Sequence, residues 1–258
     1  MTLTFLGTGT STGVPTLACS CPVCRSPDPH DKRTRPSVML EFDGRVIVID
    51  TTPDFRQQAL REGMSRLDAV VFTHTHADHV FGLDDVRVFY FRQQVPIPVY
   101  ANADSMESIR RIYQYIFDQS YPYGGIAKLD PHVIEGSFKL WGKKMIPLPV
   151  MHGNLPVLGF RFGSSAYVTD FSTIPDSTIP LLENLDVLIL DALRHTPHPA
   201  HSNLQQSLAL VERLKPRQAF FTHIAHELGY EKTNAMLPPH VRLAYDGLKL
   251  DLSGPDSP

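Results

Sequence analysis

Only one tryptophan and three cysteines occur in this chain of 258 residues, and neither sign of charge dominates it. Lys and Arg total 24 against 27 for Asp and Glu, a net charge of −3 that offers no general attraction for nucleic acid or an anionic membrane. Long apolar runs are missing as well: residues 46–49 and 187–190 are far too short to span a bilayer. The first residues have no basic stretch followed by an apolar one, so no secretory leader is expected and the expected location is cytoplasmic. The cysteines make a poor disulfide framework. Cys19, Cys21 and Cys24 form an odd, tight cluster of the kind that suits a metal. No repeat, low-complexity segment or linker interrupts the chain.

Strand and helix patterns alternate along it. Residues 3–6 read as a strand entering Gly7-Thr8-Gly9-Thr10-Ser11-Thr12-Gly13, a spacing that is not the dinucleotide fingerprint. A tight turn accounts for it, and a backbone that approaches a bound anion is the alternative. Residues 38–42 and 45–49 flank Asp43-Gly44 as a hairpin. Residues 54–62 read as a helix stopped by Gly63, residues 67–72 as a buried strand, and 95–100 as another. A helix is expected over 105–117 with Met106, Ile109, Ile112, Tyr113 and Ile116 on one face, closed by a turn at 121–125; residues 104–125 could form a lid. Strands recur near Phe138 and over 145–150, 158–162, 166–169, 187–190 and 218–222, with helices at 179–182 and 202–214. The last strands flank Asp246-Gly247. One α/β domain with two sheets is the economical architecture.

Directly after the strand at 67–72 stand His74, His76, Asp78 and His79. Imidazole and carboxylate suit zinc, manganese or iron, and H-x-H-x-D-H in a turn can direct two histidines to one ion and the Asp-His pair to another. Chance histidines in a polar loop are the ordinary alternative. Later strand ends carry His152, Asp170 and His223, each expected where a βα loop begins.

This arrangement resembles the metallo-β-lactamase superfamily, whose fold is an αββα sandwich. The resemblance implies that His74, His76 and His152 hold one divalent metal, that Asp78, His79 and His223 hold a second, and that Asp170 bridges them. The C-x-C-x-x-C trio lacks a fourth ligand, for which His30 is the nearest candidate by spacing. A narrower resemblance to PhnP-type phosphodiesterases implies a different partner. There the trio binds a structural zinc with a histidine three residues beyond the last catalytic histidine, which here is His226. Such a zinc would pin the loop at about 15–36. The same resemblance extends over Leu6-Gly7-Thr8-Gly9, Gly13-Val14-Pro15 and Tyr245-Asp246-Gly247.

The two active-site metals, manganese or zinc, would hold a bridging hydroxide and neutralise charge on a phosphoryl group. The leaving oxygen still needs a proton, and His201 matches the histidine that such relatives use there. It is counted with Asp78 as catalytic, with His198 and His195 as competitors. Alternatively, His201 merely precedes a helix capped by Ser202. Arg87 and Arg92 could meet a substrate phosphate or simply be solvated. The expected activity is hydrolysis of a small cyclic phosphodiester such as 5-phosphoribosyl 1,2-cyclic phosphate. Neither a membrane nor nucleic acid is an expected partner, and a homodimer is the assembly to test. The principal alternative is a tRNA 3′-processing endonuclease, although no basic, glycine-rich arm is visible. Thioesterase, lactamase and flavodiiron chemistry fit the ligand pattern less well, and a metal-binding regulatory module is the non-enzyme alternative.

Overall fold

In the computed structural model, which describes residues 1–118 and 124–252, successive strand residues alternate between two buried faces. Val38, Leu40, Ile47, Ile49 and Val71 point to one side, whereas Met39, Val48 and Val70 point to the other. A strand that is apolar on both faces needs cover on both. The first sheet contains β1 (Thr2–Gly7), β2 (Ser37–Phe42), β3 (Arg45–Ile49), β4 (Ala69–Val71), β5 (Ile97–Ala101) and β6 (Leu129–Val133). The second contains β7 (Phe138–Leu140), β8 (Lys143–His152), β9 (Leu155–Phe162), β10 (Ser165–Val168), β11 (Val187–Asp191), β12 (Gln218–Thr222) and β13 (Val241–Leu243). The last strand, β14 (Lys249–Asp251), returns to the first sheet beside β1.

The sheet orders are β14-β1-β2-β3-β4-β5-β6 and β13-β12-β11-β10-β9-β8-β7. In each, an antiparallel part continues into a parallel run, β3 to β6 in the first and β10 to β13 in the second. The inner faces meet through Phe5, Leu40, Ile49, Phe160, Phe162 and Ile189, all at most 1 % exposed. Full burial of each such side chain stabilises the fold by about 1.5–3 kcal/mol. The outer face of the first sheet is covered by helices Phe55–Arg61, Arg87–Gln93 and Ala103–Ile112, and that of the second by Leu204–Leu214. This is the expected αββα sandwich.

Several local expectations need correction. The helix expected over 105–117 starts earlier, at Ala103 with Asn102 as its N-cap, and breaks at Tyr113 before a turn at Gln114–Phe117. Tyr113 donates its hydroxyl to the Val80 carbonyl at 2.8 Å, and Ile112 points to solvent. Met106 and Ile109 are buried in the outer core, so this helix packs as cover on the first sheet. The turn at 121–125 lies largely outside the described residues. The helix after His201 begins at Leu204, capped by Asn203 and Gln206 in a capping box, not by Ser202. Strand β6 was not foreseen, because Asp130-Pro131-His132 lacks strand patterning and suits only an edge.

The glycine-rich turn after β1 does not cradle an anion through the amides that its spacing suggested. Those of Thr8, Gly9, Thr10 and Gly13 already donate to Asp246, Thr34, Ile224 and Thr10, respectively. Glycine is required at Gly7, where a Cβ would collide with the Arg35 carbonyl oxygen. Asp246 fastens this region. Its carboxylate, on a side chain 8 % exposed, accepts from the amides and hydroxyls of Thr8 and Thr34 and pairs with Arg61 at 3.2 Å. Asp246→Ala leaves those donors without their acceptor and is expected to destabilise the fold by about 3–5 kcal/mol. The midpoint of urea unfolding measures that loss.

Candidate metal centre

The parallel strands of both sheets end at one edge of the sandwich, and the site is built there. Just beyond β4, His74 is followed by a single helical turn, Ala77–Val80, which aims Asp78 and His79 at the same point. Asp50 directly follows β3, Asp170 lies two residues beyond β10, and His223 directly follows β12. All three adopt left-handed backbone conformations, with φ of 66°, 53° and 55°. Such geometry is uncommon for non-glycine residues and concentrates at functional sites. His152 departs from the expected βα context. It is the last residue of β8, at the tight hairpin to β9.

The seven sequence-selected residues converge. Ligand atoms of His74, His76 and His152 lie within 4.8 Å of one another, as do those of Asp78, His79, Asp170 and His223. A third such group comprises His152, Asp170 and His201, which brings the proposed proton donor to the same edge. The ring of His201 stacks on His223 at 4.6 Å and meets His152 edge-on at 4.5 Å. His198 stands behind it, accepting from the Ala200 amide. Arg87 instead pairs with Asp84 at 3.2 Å, and Arg92 borders a small cavity with Phe55, Leu60 and Val88.

Two carboxylates that sequence reasoning missed orient these rings. Asp50 is fully buried and accepts from the Thr73 amide, the Thr73 hydroxyl and His79 Nδ1 at 2.7–2.9 Å. His74 Nδ1 donates in turn to the Thr73 hydroxyl at 3.0 Å. Asp191 accepts from His201 Nδ1 at 2.7 Å, and its other oxygen lies 3.8 Å from His223 Nδ1. His152 Nδ1 donates to the Ala200 carbonyl at 2.7 Å. These bonds place the protons of His74, His79 and His152 on Nδ1 and leave Nε2 free as a ligand atom. Both missed residues stand at or just beyond the end of an almost wholly apolar strand, the same context that singled out Asp170 and His223.

The site has the donor chemistry for divalent metal. The Nε2 atoms of His74, His79 and His223 are buried and have no hydrogen-bond partner. Leaving such an atom bare costs about 1–3 kcal/mol, and a cation facing the three lone pairs removes that penalty. His79 Nε2 and His223 Nε2 face Asp170 at 3.2 and 3.3 Å, and Asp78 at 3.4 and 3.6 Å, without hydrogen-bond geometry. Electrostatics agree. Burial alone would lower the pKa of His223, yet Asp170, Asp191 and Asp78 together raise it to about 9. His79 is raised in the same way against its burial by Asp170, Asp50 and Asp78. The carboxylates therefore draw positive charge to the centre. His201 shifts the other way, lowered to about 4 by burial and by its charged neighbour His223.

A second cluster lies close by. Cys19, Cys21 and Cys24 place their sulfurs 3.2, 3.4 and 3.5 Å from His226 Nδ1. Tetrahedral zinc, with bonds of about 2.3 Å to sulfur and about 2.0 Å to nitrogen, sets those atoms about 3.5 Å apart. The Cys24 amide donates to the Cys21 sulfur at 3.4 Å, and that bond leads the lowering of the Cys21 pKa to about 6. His30, the candidate suggested by spacing, is not in the group. It bonds Asp28 at 2.7 Å and stacks on Tyr230.

Comparison with known proteins places this geometry. A family model described as a beta-lactamase superfamily domain matches residues 45–224. A crystal structure of a new diphosphatase from the PhnP family superposes with a TM-score of 0.92 at 50 % identity, covering 98 % of each chain. An octanoyltransferase of Porphyromonas gingivalis is 39 % identical over 249 residues, which is 95 % of this chain and 50 % of that protein. A ribonuclease Z of Methanococcus maripaludis is 28 % identical over 167 residues, 63 % of this chain and 48 % of that protein. The chain spans about half the length of these curated relatives. It belongs to the metallo-β-lactamase superfamily of metal-dependent hydrolases. Within that class it is of the PhnP type. Among the described residues, no helix is long and apolar enough to cross a membrane.

Asp50→Ala removes the acceptor that orients His79 and, through Thr73, His74. Affinity for divalent metal at this centre is expected to fall about 10–100-fold, while that of the cysteine cluster should not change. Metal analysis after graded chelation measures both.

Proposed function

We propose that this protein hydrolyses a small phosphodiester, with a cyclic phosphate such as 5-phosphoribosyl 1,2-cyclic phosphate as the leading substrate. His74, His76 and His152 would hold one divalent ion, Asp78, His79 and His223 the other, with Asp170 between them, and zinc or manganese suits this donor set. Bound together, two such ions lower the pKa of water and neutralise charge on a phosphoryl group. Cys19, Cys21, Cys24 and His226 would hold a structural zinc that fixes the loop at about 15–36.

The observation that carries the reading is His201. Its ring stands between His152 and His223, and Asp191 anchors its Nδ1 at 2.7 Å. Nε2 is thereby left to face a leaving oxygen. An anionic substrate beside the ring raises its proton affinity, so the proton needed for departure is taken up with the substrate. Asp78, whose Oδ2 faces both His79 and His223, would orient the attacking water with its second oxygen.

A second reading is favoured by the half-identical diphosphatase: cleavage of a diphosphate linkage. The two differ in what leaves. A sugar alkoxide needs a proton to depart, whereas a phosphate departs far more readily without one. His201→Ala is therefore expected to keep its metals yet lower turnover of a cyclic alkyl phosphodiester by about 10²–10⁴-fold. Turnover of a nitrophenyl phosphodiester, whose phenolate leaves unprotonated, should change far less. Equal losses on both substrates would remove His201 from the role. A parallel screen of cyclic phosphates, linear diesters and disubstituted diphosphates ranks the two readings, and no turnover with any divalent metal refutes both.

A further inference from the structure

The cysteine cluster is partly open to solvent, with Cys19, Cys21 and His226 half-buried and Cys24 buried. Cys21 and His226 line a cavity of about 570 Å³ with Pro22, Asp28, Glu227 and Tyr230. Cys21 is the N-cap of the helical turn Pro22–Arg25, and Cys24 lies within that turn. Residues three apart in this setting have Cα atoms about 5–6 Å apart, inside the range a disulfide spans. All three thiols are free, and the donor atoms of the cluster lie within 4.8 Å of one another.

The cluster is also tied to the segment that carries His223. His226 follows three residues later, and the intervening backbone is fastened to the first loop. The Ile224 amide donates to the Thr8 carbonyl at 2.8 Å, and the Thr10 amide donates to the Ile224 carbonyl at 3.1 Å. Arg33, wholly buried at the far end of the cysteine loop, donates to the Ala225 carbonyl at 3.2 Å and to the Leu228 carbonyl at 2.8 Å. The cysteine loop and residues 224–228 therefore share one network, with His223 at its margin.

We propose that Cys21 and Cys24 are an oxidative modification site, at which a peroxide joins the two sulfurs, releases the metal of the cluster and loosens the loop that positions His223. One thiolate attacks the peroxide, breaking its O–O bond to give a sulfenic acid and hydroxide. The second thiolate attacks the sulfenic sulfur and expels a further hydroxide. The two sulfurs lose two electrons, and the peroxide, with two protons, ends as two waters. Only Cys19 and His226 then remain of four ligands, too few to retain zinc. The proposal presumes zinc in the cluster but needs no phosphodiesterase activity for its test.

The metal-loaded protein is treated with hydrogen peroxide, alkylated and analysed by intact mass and peptide mapping, with released zinc followed by a chromogenic chelator. A Cys21–Cys24 link is expected, with a mass loss of about 2 Da and release of about one zinc per chain. Tm should fall by about 5 °C or more, and a chelator should strip the remaining metals about tenfold faster. Dithiothreitol with added zinc should reverse all of these. Retention of three alkylatable thiols under peroxide that fully oxidises glutathione overturns the proposal. A mapped link that leaves Tm and the stripping rate unchanged overturns the coupling to His223. Because both readings come from the native protein, neither depends on a cysteine variant that fails to fold.

Discussion

Four carboxylates, Asp50, Asp78, Asp170 and Asp191, are buried at one sheet edge, and the arrangement around them follows from the need to offset that charge. An isolated ionised carboxylate in such surroundings costs several kcal/mol. Among the described residues, the ion-pair partners of these carboxylates are histidines, whose proton affinity is raised where two or more carboxylates converge on one ring. Histidine suits the position because it can give up its proton to make way for a metal, which a guanidinium cannot do. Protonated histidines supply part of the compensating positive charge, and divalent ions would supply more.

The fold makes such crowding feasible by sharing it among strands. The parallel runs of the two sheets finish at the same edge, so β3, β4, β10, β11 and β12 supply polar residues at or just beyond the end of their apolar stretches. Val46–Ile49 precedes Asp50, and Val187–Leu190 precedes Asp191. Apolar strand residues stay between the sheets and the helices, and the first polar residue past them falls at the site. Left-handed backbone at Asp50, Asp170 and His223 turns these side chains back across the edge. The energetic strain of those turns is borne by the packed strands behind them.

The histidine segment was legible because its three histidines and one carboxylate fall within six positions, and the later candidates because each follows an apolar strand. Asp50 and Asp191 share that context, yet a single carboxylate at a strand end has no pattern of its own; only the fold shows which rings it holds. His152 was selected correctly as a residue of the edge but in the wrong setting, since a hairpin and a βα loop both begin where an apolar run stops. Ile112 misled because a 3.6-residue period places it near the buried stripe, yet it is exposed while Met106, Ile109, Tyr113 and Ile116 are buried. Residues 129–133 form a strand through pairing with β5 despite weak local preference. The choice between His30 and His226 was a tertiary question. Spacing favoured the first, and the backbone reversal after β12 brings the second to the cysteines.

Asp246 introduces an order in time. Its bonds to Thr8 reach across 238 residues and those to Thr34 across 212, and β14 pairs with β1 just beyond it. During synthesis on the ribosome the first loop has none of these anchors until residue 246 has emerged. The partners of the Cys19–Cys24 segment at residues 224–228 arrive almost as late. Completion of both clusters therefore waits for residues 223–226, and the nascent chain carries its thiols and imidazoles uncommitted until then.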